Sequence, residues 1–128
     1  VSLLVQVDKN NKLSVLRAVA AIDAGRVVNP DRVKSQVEGA IIFGLSLAMM
    51  GEISVKEGKV QQSNFHDYPL LRITQCPDIE VIIIPSDAPP GGVGEPGVPP
   101  VAPSLTNAIF AASGVRIRDL PVSQYFTV

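Results

Sequence analysis

NPDRVKSQVEGAIIFGLSLAMM, Asn29 to Met50, is the stretch that decides the fold. Asn29 can accept hydrogen bonds from the free amides of a first turn, Pro30 fits the first helical position, and Asp31 suits the positive end of the helix dipole. Val33, Val37, Ala40, Ile41, Gly44, Leu45 and Ala48 then recur at helical spacing, which predicts a helix from about Pro30 to Met50. Gly39 and Gly44 each cost such a helix about 1 kcal/mol against alanine. With Ala40, Ser46 and Ala48 they make a small-residue face, expected to pack closely on a sheet.

Upstream, VSLLVQV (Val1 to Val7) and Leu13 to Ile22 are β-rich runs joined by Asp8-Lys-Asn-Asn-Lys12, which is turn chemistry. They predict a hairpin with Leu13, Val15, Val19 and Ala21 on one face. Downstream, Glu57-Gly58 predicts a second hairpin between Glu52–Lys56 and Lys59–Asn64. Phe65 to Arg72 reads as irregular or extended, and the branched run Ile79 to Ile84 as a buried strand. Ser86 to Pro100, SDAPPGGVGEPGVPP, holds five prolines and four glycines and excludes regular structure. Pro99-Pro100 open a second helix running to about Ser113, with Val101, Leu105, Ala108, Ile109 and Ala112 on its apolar face and Gly114 as its C-terminal cap. Val115 to Val128 reads as an extended tail. The order ββ-α-ββ-β-loop-α favours an α+β fold, a mostly antiparallel sheet packed with two main helices, over residues 1–128 as a single domain.

Composition narrows function. The chain has 128 residues, 46% hydrophobic, enough for one core. Eleven basic residues against twelve acidic give a net charge of −1, no electrostatic footprint for nucleic acid or an anionic membrane. One cysteine, Cys76, and one histidine, His66, exclude an internal disulfide framework and any multi-cysteine or multi-histidine metal site. The longest apolar run, Gly39 to Gly51, is too short to span a bilayer. The chain opens at Val1, without Met, inside a strand pattern, as expected of a piece of a longer polypeptide.

The Pro/Gly loop carries the functional question. A loop this long between core elements is usually functional. Glycines let backbone approach a ligand, and prolines stiffen the flanks. Glu95 is the only ionisable side chain between Asp87 and Arg116. It is either a solvated surface carboxylate or, with its pKa raised in a dry pocket, a general base. The segment lacks the Gly-Lys-Ser/Thr ending of a phosphate loop and the spacing of a dinucleotide fingerprint. Gln36 offers a donor and an acceptor to a planar ligand edge or is a surface glutamine. Glu38 reads as a packing or capping carboxylate. His66-Asp67 has no serine in a nucleophile-elbow context and reads as structural, and Cys76 as a small buried apolar residue.

Ala20 to Ile53, NFHDYPLLR (Asn64 to Arg72), PDIEVIII (Pro77 to Ile84) and Gly91 to Pro121 occur in that order. Together they resemble the C-terminal part of the molybdopterin-binding large subunit of the xanthine dehydrogenase/aldehyde oxidase family. The isoquinoline 1-oxidoreductase β-subunit branch fits best. The resemblance implies hydroxylation of an aldehyde or N-heterocycle at a molybdenum centre with water as oxygen source. It places the family's base at Glu95 in Val-Gly-Glu-Pro, with Gly94 beside it, and its pterin-contacting glutamine at Gln36. It further implies a molybdenum–molybdopterin cofactor in the cytosine dinucleotide form and iron–sulfur clusters in a partner domain or subunit. The remainder of the large subunit completes the site. The upstream segments that hold the cofactor are not in these residues, so the isolated chain is expected to bind none and to be inactive. Gly97 stands where many relatives have a second proline, so a laxer loop is expected, and Ala40-Ile41 replaces a more frequent glycine-containing version. The cytoplasm is the expected compartment, with the periplasm open. The rival reading is a non-enzymatic interaction domain whose Pro/Gly-rich loop is an exposed, mobile ligand for a partner.

Overall fold

The computed structural model describes residues 1–128. Strands β1 (Ser2–Val7) and β2 (Leu13–Ile22) pair antiparallel, as their alternating runs require. Asn11 turns the chain between them at φ 60°, a left-handed position that asparagine tolerates. The sheet order is β1-β2-β5, with β5 at Asp78–Ile83, and β3 (Val55–Lys56) and β4 (Lys59–Val60) form a separate hairpin. Helices α1 (Pro30–Met49) and α2 (Val101–Ser113) complete the α+β fold. No helix is long and apolar enough to cross a membrane.

α1 forms as its sequence dictates. The Asn29 side chain accepts from the Arg32 amide at 3.2 Å, and all seven residues of the apolar stripe are buried. The small-residue face, however, does not meet a sheet throughout. Gly44 abuts Val101 at the start of α2, Ala40 abuts Gly97 of the Pro/Gly loop, and a Cβ on Gly39 would have nothing within 4 Å. The face instead receives the loop and its following helix.

Three further expectations are corrected. β2 buries Leu13 and Val15, then Ala18 and Ala20, not Val19 and Ala21. The register shifts between Leu4 and Val5, leaving Leu16 as an extra residue opposite them. A side chain alternates face every residue, so one insertion reverses the parity of all that follow. β5 is an edge strand with no fully buried residue, and it pairs parallel to β2. The chain between them crosses over through α1, which is how parallel neighbours are joined. Arg17 of β2 pairs with Glu80 of β5 and lies 4.0 Å from Asp78, an exposed cluster along that ladder. Cys76 is exposed, not buried.

The tail is not simply extended. After Gly114 caps α2 at φ 74°, Ile117, Val122 and Phe126 turn into the core, with a short 3-10 turn at Val122–Gln124. Leu13 donates to the Thr127 carbonyl at 2.8 Å and the Asn11 side chain to that of Tyr125 at 2.7 Å. The core therefore draws on both strands of the first hairpin, both helices and the tail.

Candidate functional site

The Pro/Gly loop is fastened along the first half of α1. Its entry is held by two backbone bonds to the segment before the helix: Arg26 N–H donates to the Ala88 carbonyl at 2.9 Å, and Gly91 N–H to the Ala24 carbonyl at 2.9 Å. Gly25 permits the approach. Its φ is +67°, and a Cβ there would collide with the Pro89 carbonyl oxygen. The loop's exit is pressed on α1 at Gly97, which is buried against Ala40 and Val37. Two turns, Val98 N–H to the Glu95 carbonyl at 3.0 Å and Val101 N–H to the Val98 carbonyl at 3.1 Å, lead into α2. Gly97 is thus a point of close packing rather than of laxity.

Between these anchors the loop stands clear. Gly92, Gly94 and Glu95 are exposed, and a Cβ on Gly92 or Gly94 would meet nothing within 4 Å. No backbone N–H of Gly92, Val93, Gly94, Glu95 or Gly97 is given to a protein acceptor. The Glu95 carboxylate has no protein hydrogen bond and sits in no dry pocket of this chain. Gln36 is exposed on α1 one turn before Ala40, its amide likewise unpartnered. What joins the loop to α1 near these residues is the contact of Gly97, two residues after Glu95, with Val37 and Ala40, which follow Gln36 on the helix. Beside that contact is a small hollow of about 210 Å³, lined by Val1, Ala20 to Asp23, Val37, Pro96, Gly97 and Pro100. Neither Glu95 nor Gln36 lines it.

The other residues weighed from the sequence stay apart from this region or have structural work. Glu38 is exposed and caps nothing. Asp67 accepts from Ser63 N–H, Ser63 O–H and Asn64 N–H at 2.9–3.0 Å, and the His66 imidazole lies 3.5 Å away. The Asn64 amide, with Ser63 and His66 adding to it against some desolvation, holds its carboxyl below the usual aspartate range. This is a loop clasp, not a triad. Ser46, which the sequence suggested only as a small residue, is the unforeseen polar link. It donates to the Ile42 carbonyl at 2.9 Å and accepts from Leu71 N–H at 3.1 Å, tying the loop after Asn64 to α1.

Donor chemistry decides what this surface can hold. No three His, Cys, Asp or Glu side chains gather as a metal-ligand set. Free backbone amides and the Gln36 amide offer hydrogen bonds to a planar, polar or anionic group, and open glycines at 39, 92 and 94 allow close approach.

The family model described as a molybdopterin cofactor-binding domain matches residues 2–77. The chain is 46% identical to isoquinoline 1-oxidoreductase subunit beta of Brevundimonas diminuta over 88% of its length, covering 14% of that protein. It is 41% identical to the membrane-bound aldehyde dehydrogenase [pyrroloquinoline-quinone] of Gluconacetobacter polyoxogenes, over 87% of this chain and 14% of that one. Among solved structures, the aldehyde oxidoreductase of Desulfovibrio desulfuricans ATCC 27774 superposes with a TM-score of 0.73 at 27% identity, over 91% of this chain and 14% of that chain. The chain thus spans about one seventh of the length of each.

Proposed function

The chain belongs to the molybdopterin cofactor-binding domain family of xanthine dehydrogenase/aldehyde oxidase-type large subunits, and from that membership we propose that it forms one wall of a molybdenum hydroxylase active site. The single observation that carries this reading is that the loop holding Val-Gly-Glu-Pro is fixed on both sides of it, by backbone bonds at Ala88 and Gly91 and by the burial of Gly97 on the turn of α1 that follows Gln36. A polyproline ligand for a partner has no reason to be bonded at Ala88 and Gly91 and buried at Gly97; a loop that must present one carboxylate at a fixed place does.

The parent enzyme oxidises an aldehyde or an N-heterocycle. The bound cofactor, a molybdenum–molybdopterin in its cytosine dinucleotide form, supplies the two-electron redox centre there. The name of one relative gives pyrroloquinoline quinone instead; the family model favours a molybdopterin. Gln36 hydrogen-bonds the edge of the pterin through its amide. Gly94, with no side chain, lets the loop lie against the ligand. The Glu95 carboxylate accepts a proton at Oε as oxygen from water is transferred to the substrate carbon. Because Glu95 is exposed in this chain, the dry surroundings that suit a base are completed by the rest of the large subunit. Iron–sulfur clusters in a partner domain or subunit carry the electrons away. We place the enzyme in the cytoplasm, with the periplasm as the alternative compartment.

The test is made in the full-length enzyme. Glu95→Gln retains molybdenum and pterin while kcat falls about 10²–10⁴-fold, the usual contribution of a general base. Gln36→Ala lowers cofactor content instead. Undiminished turnover in Glu95→Gln, with intact cofactor, rejects the assignment and favours the interaction domain.

A further inference from the structure

We propose that Gly97 and Ala40 are a positioning pair that sets the standoff between the Glu95 loop and the turn of α1 that follows Gln36. The inference rests on the reading of Glu95 as base and adds what holds it in place.

The contact is unusually close and specific. A Cβ on Gly97 would stand 2.7 Å from the Ala40 Cβ, closer than real methyl groups come, whereas its next neighbours, the Val37 Cα and carbonyl oxygen, are at an ordinary 3.7 Å. One atom of one side chain therefore forbids a side chain at 97. The obstacle is a Cβ fixed to the helix backbone, with no rotamer by which to yield. The helix itself is braced one turn further on, where Val101, fully buried, occupies the place a Cβ on Gly44 would take, at 2.8 Å. Ala40 and Gly44 are i,i+4 neighbours on one stripe, so Gly97 and Val101 lie along α1 in a fixed register. The Val101 contact anchors α2. The Gly97 contact sits next to the loop's free span, and only Pro96, whose φ is locked, separates it from Glu95. Glu95 and Val98 are further joined by the turn bond across Gly97. A displacement of Gly97 is thus passed to Glu95 through a stiff link rather than absorbed.

The test is a double-mutant cycle in the full-length, cofactor-loaded enzyme. Adding a methyl at 97 lifts the loop; removing one at 40 makes room for it. Gly97→Ala is expected to lower kcat about 10- to 100-fold, as a displacement on the order of 1 Å does, with KM and molybdenum content little changed. The Val98 amide, bonded to the Glu95 carbonyl across Gly97, should exchange hydrogen faster. Ala40→Gly with Gly97→Ala should recover most of the lost kcat and the slow exchange. If Gly97→Ala does not assemble, Ala40→Val crowds the same contact from the helix side and is expected to give the same loss of kcat. A Gly97→Ala enzyme as fast as the parent overturns the pair, as does a double variant no faster than the single. Either result leaves the role of Glu95 standing so long as Glu95→Gln remains slow; full activity in Glu95→Gln removes the base itself.

Discussion

At the scale of residues, polar side chains in this chain divide into those that find protein partners and those that do not. Asp67 finds three donors, all from Ser63 and Asn64, and its carboxyl titrates below the ordinary aspartate range as a result. The linkage follows from the direction of that shift. A folded-state pKa below the unfolded value means that the clasp is fully effective above about pH 4 and is lost as pH falls through the lowered folded value. An NMR titration of the Asp67 carboxyl carbon should therefore show a midpoint below that of a free aspartate, with Ser63 and Asn64 amide shifts following it; a midpoint at or above the free value would contradict the geometry. Glu95 and Gln36, by contrast, have no protein partner, and the loop amides around Glu95 have none either. Both residues were legible from the sequence as types and by resemblance. The seating of Gly97 on Ala40 and Val37 was not, because it depends on where the loop crosses α1.

At the scale of elements, the two glycines inside α1 have opposite roles, although the sequence presents them alike. Gly39 is exposed with open space beyond it, so Gly39→Ala should stabilise the chain by about 0.5–1 kcal/mol through helix propensity. Gly44→Ala gains the same propensity but drives a methyl into Val101, where overpacking costs about 1–3 kcal/mol, so it should be neutral to destabilising. Urea unfolding of the two variants side by side checks the difference: equal midpoints would show that α2 does not seat on Gly44. The strands teach a similar lesson. Their existence and the first hairpin followed from alternation and turn residues. The bulge at Leu16, which exchanges the inward residues of β2 from Val19 and Ala21 to Ala18 and Ala20, left no mark in the pattern, because small and branched apolar residues occupy both faces.

At the scale of the whole molecule, the tail closes the core. Phe126 is 5% exposed, and its segment is bonded back to Asn11 and Leu13 at the hairpin turn. Phe126→Ala should cost about 3–5 kcal/mol, a large fraction of the stability of a domain this size. A urea midpoint shifted by less than the equivalent of about 1 kcal/mol would mean that the tail only lies on the surface.

The sequence by itself determined the α+β class, both helices with their caps, the two hairpins, the irregular Pro/Gly loop and the resemblance that led to Glu95, Gly94 and Gln36. These are local matters: periodicity, capping and turn chemistry act within a few residues, and a motif is read along the chain. Only the tertiary structure decided the parallel seat of β5 beside β2, the burial of Ile117, Val122 and Phe126, and the pressing of Gly97 onto Ala40. Each of those depends on which surfaces meet at distances set by a single methyl group, and residues far apart in sequence carry no local signal of the contact they will make.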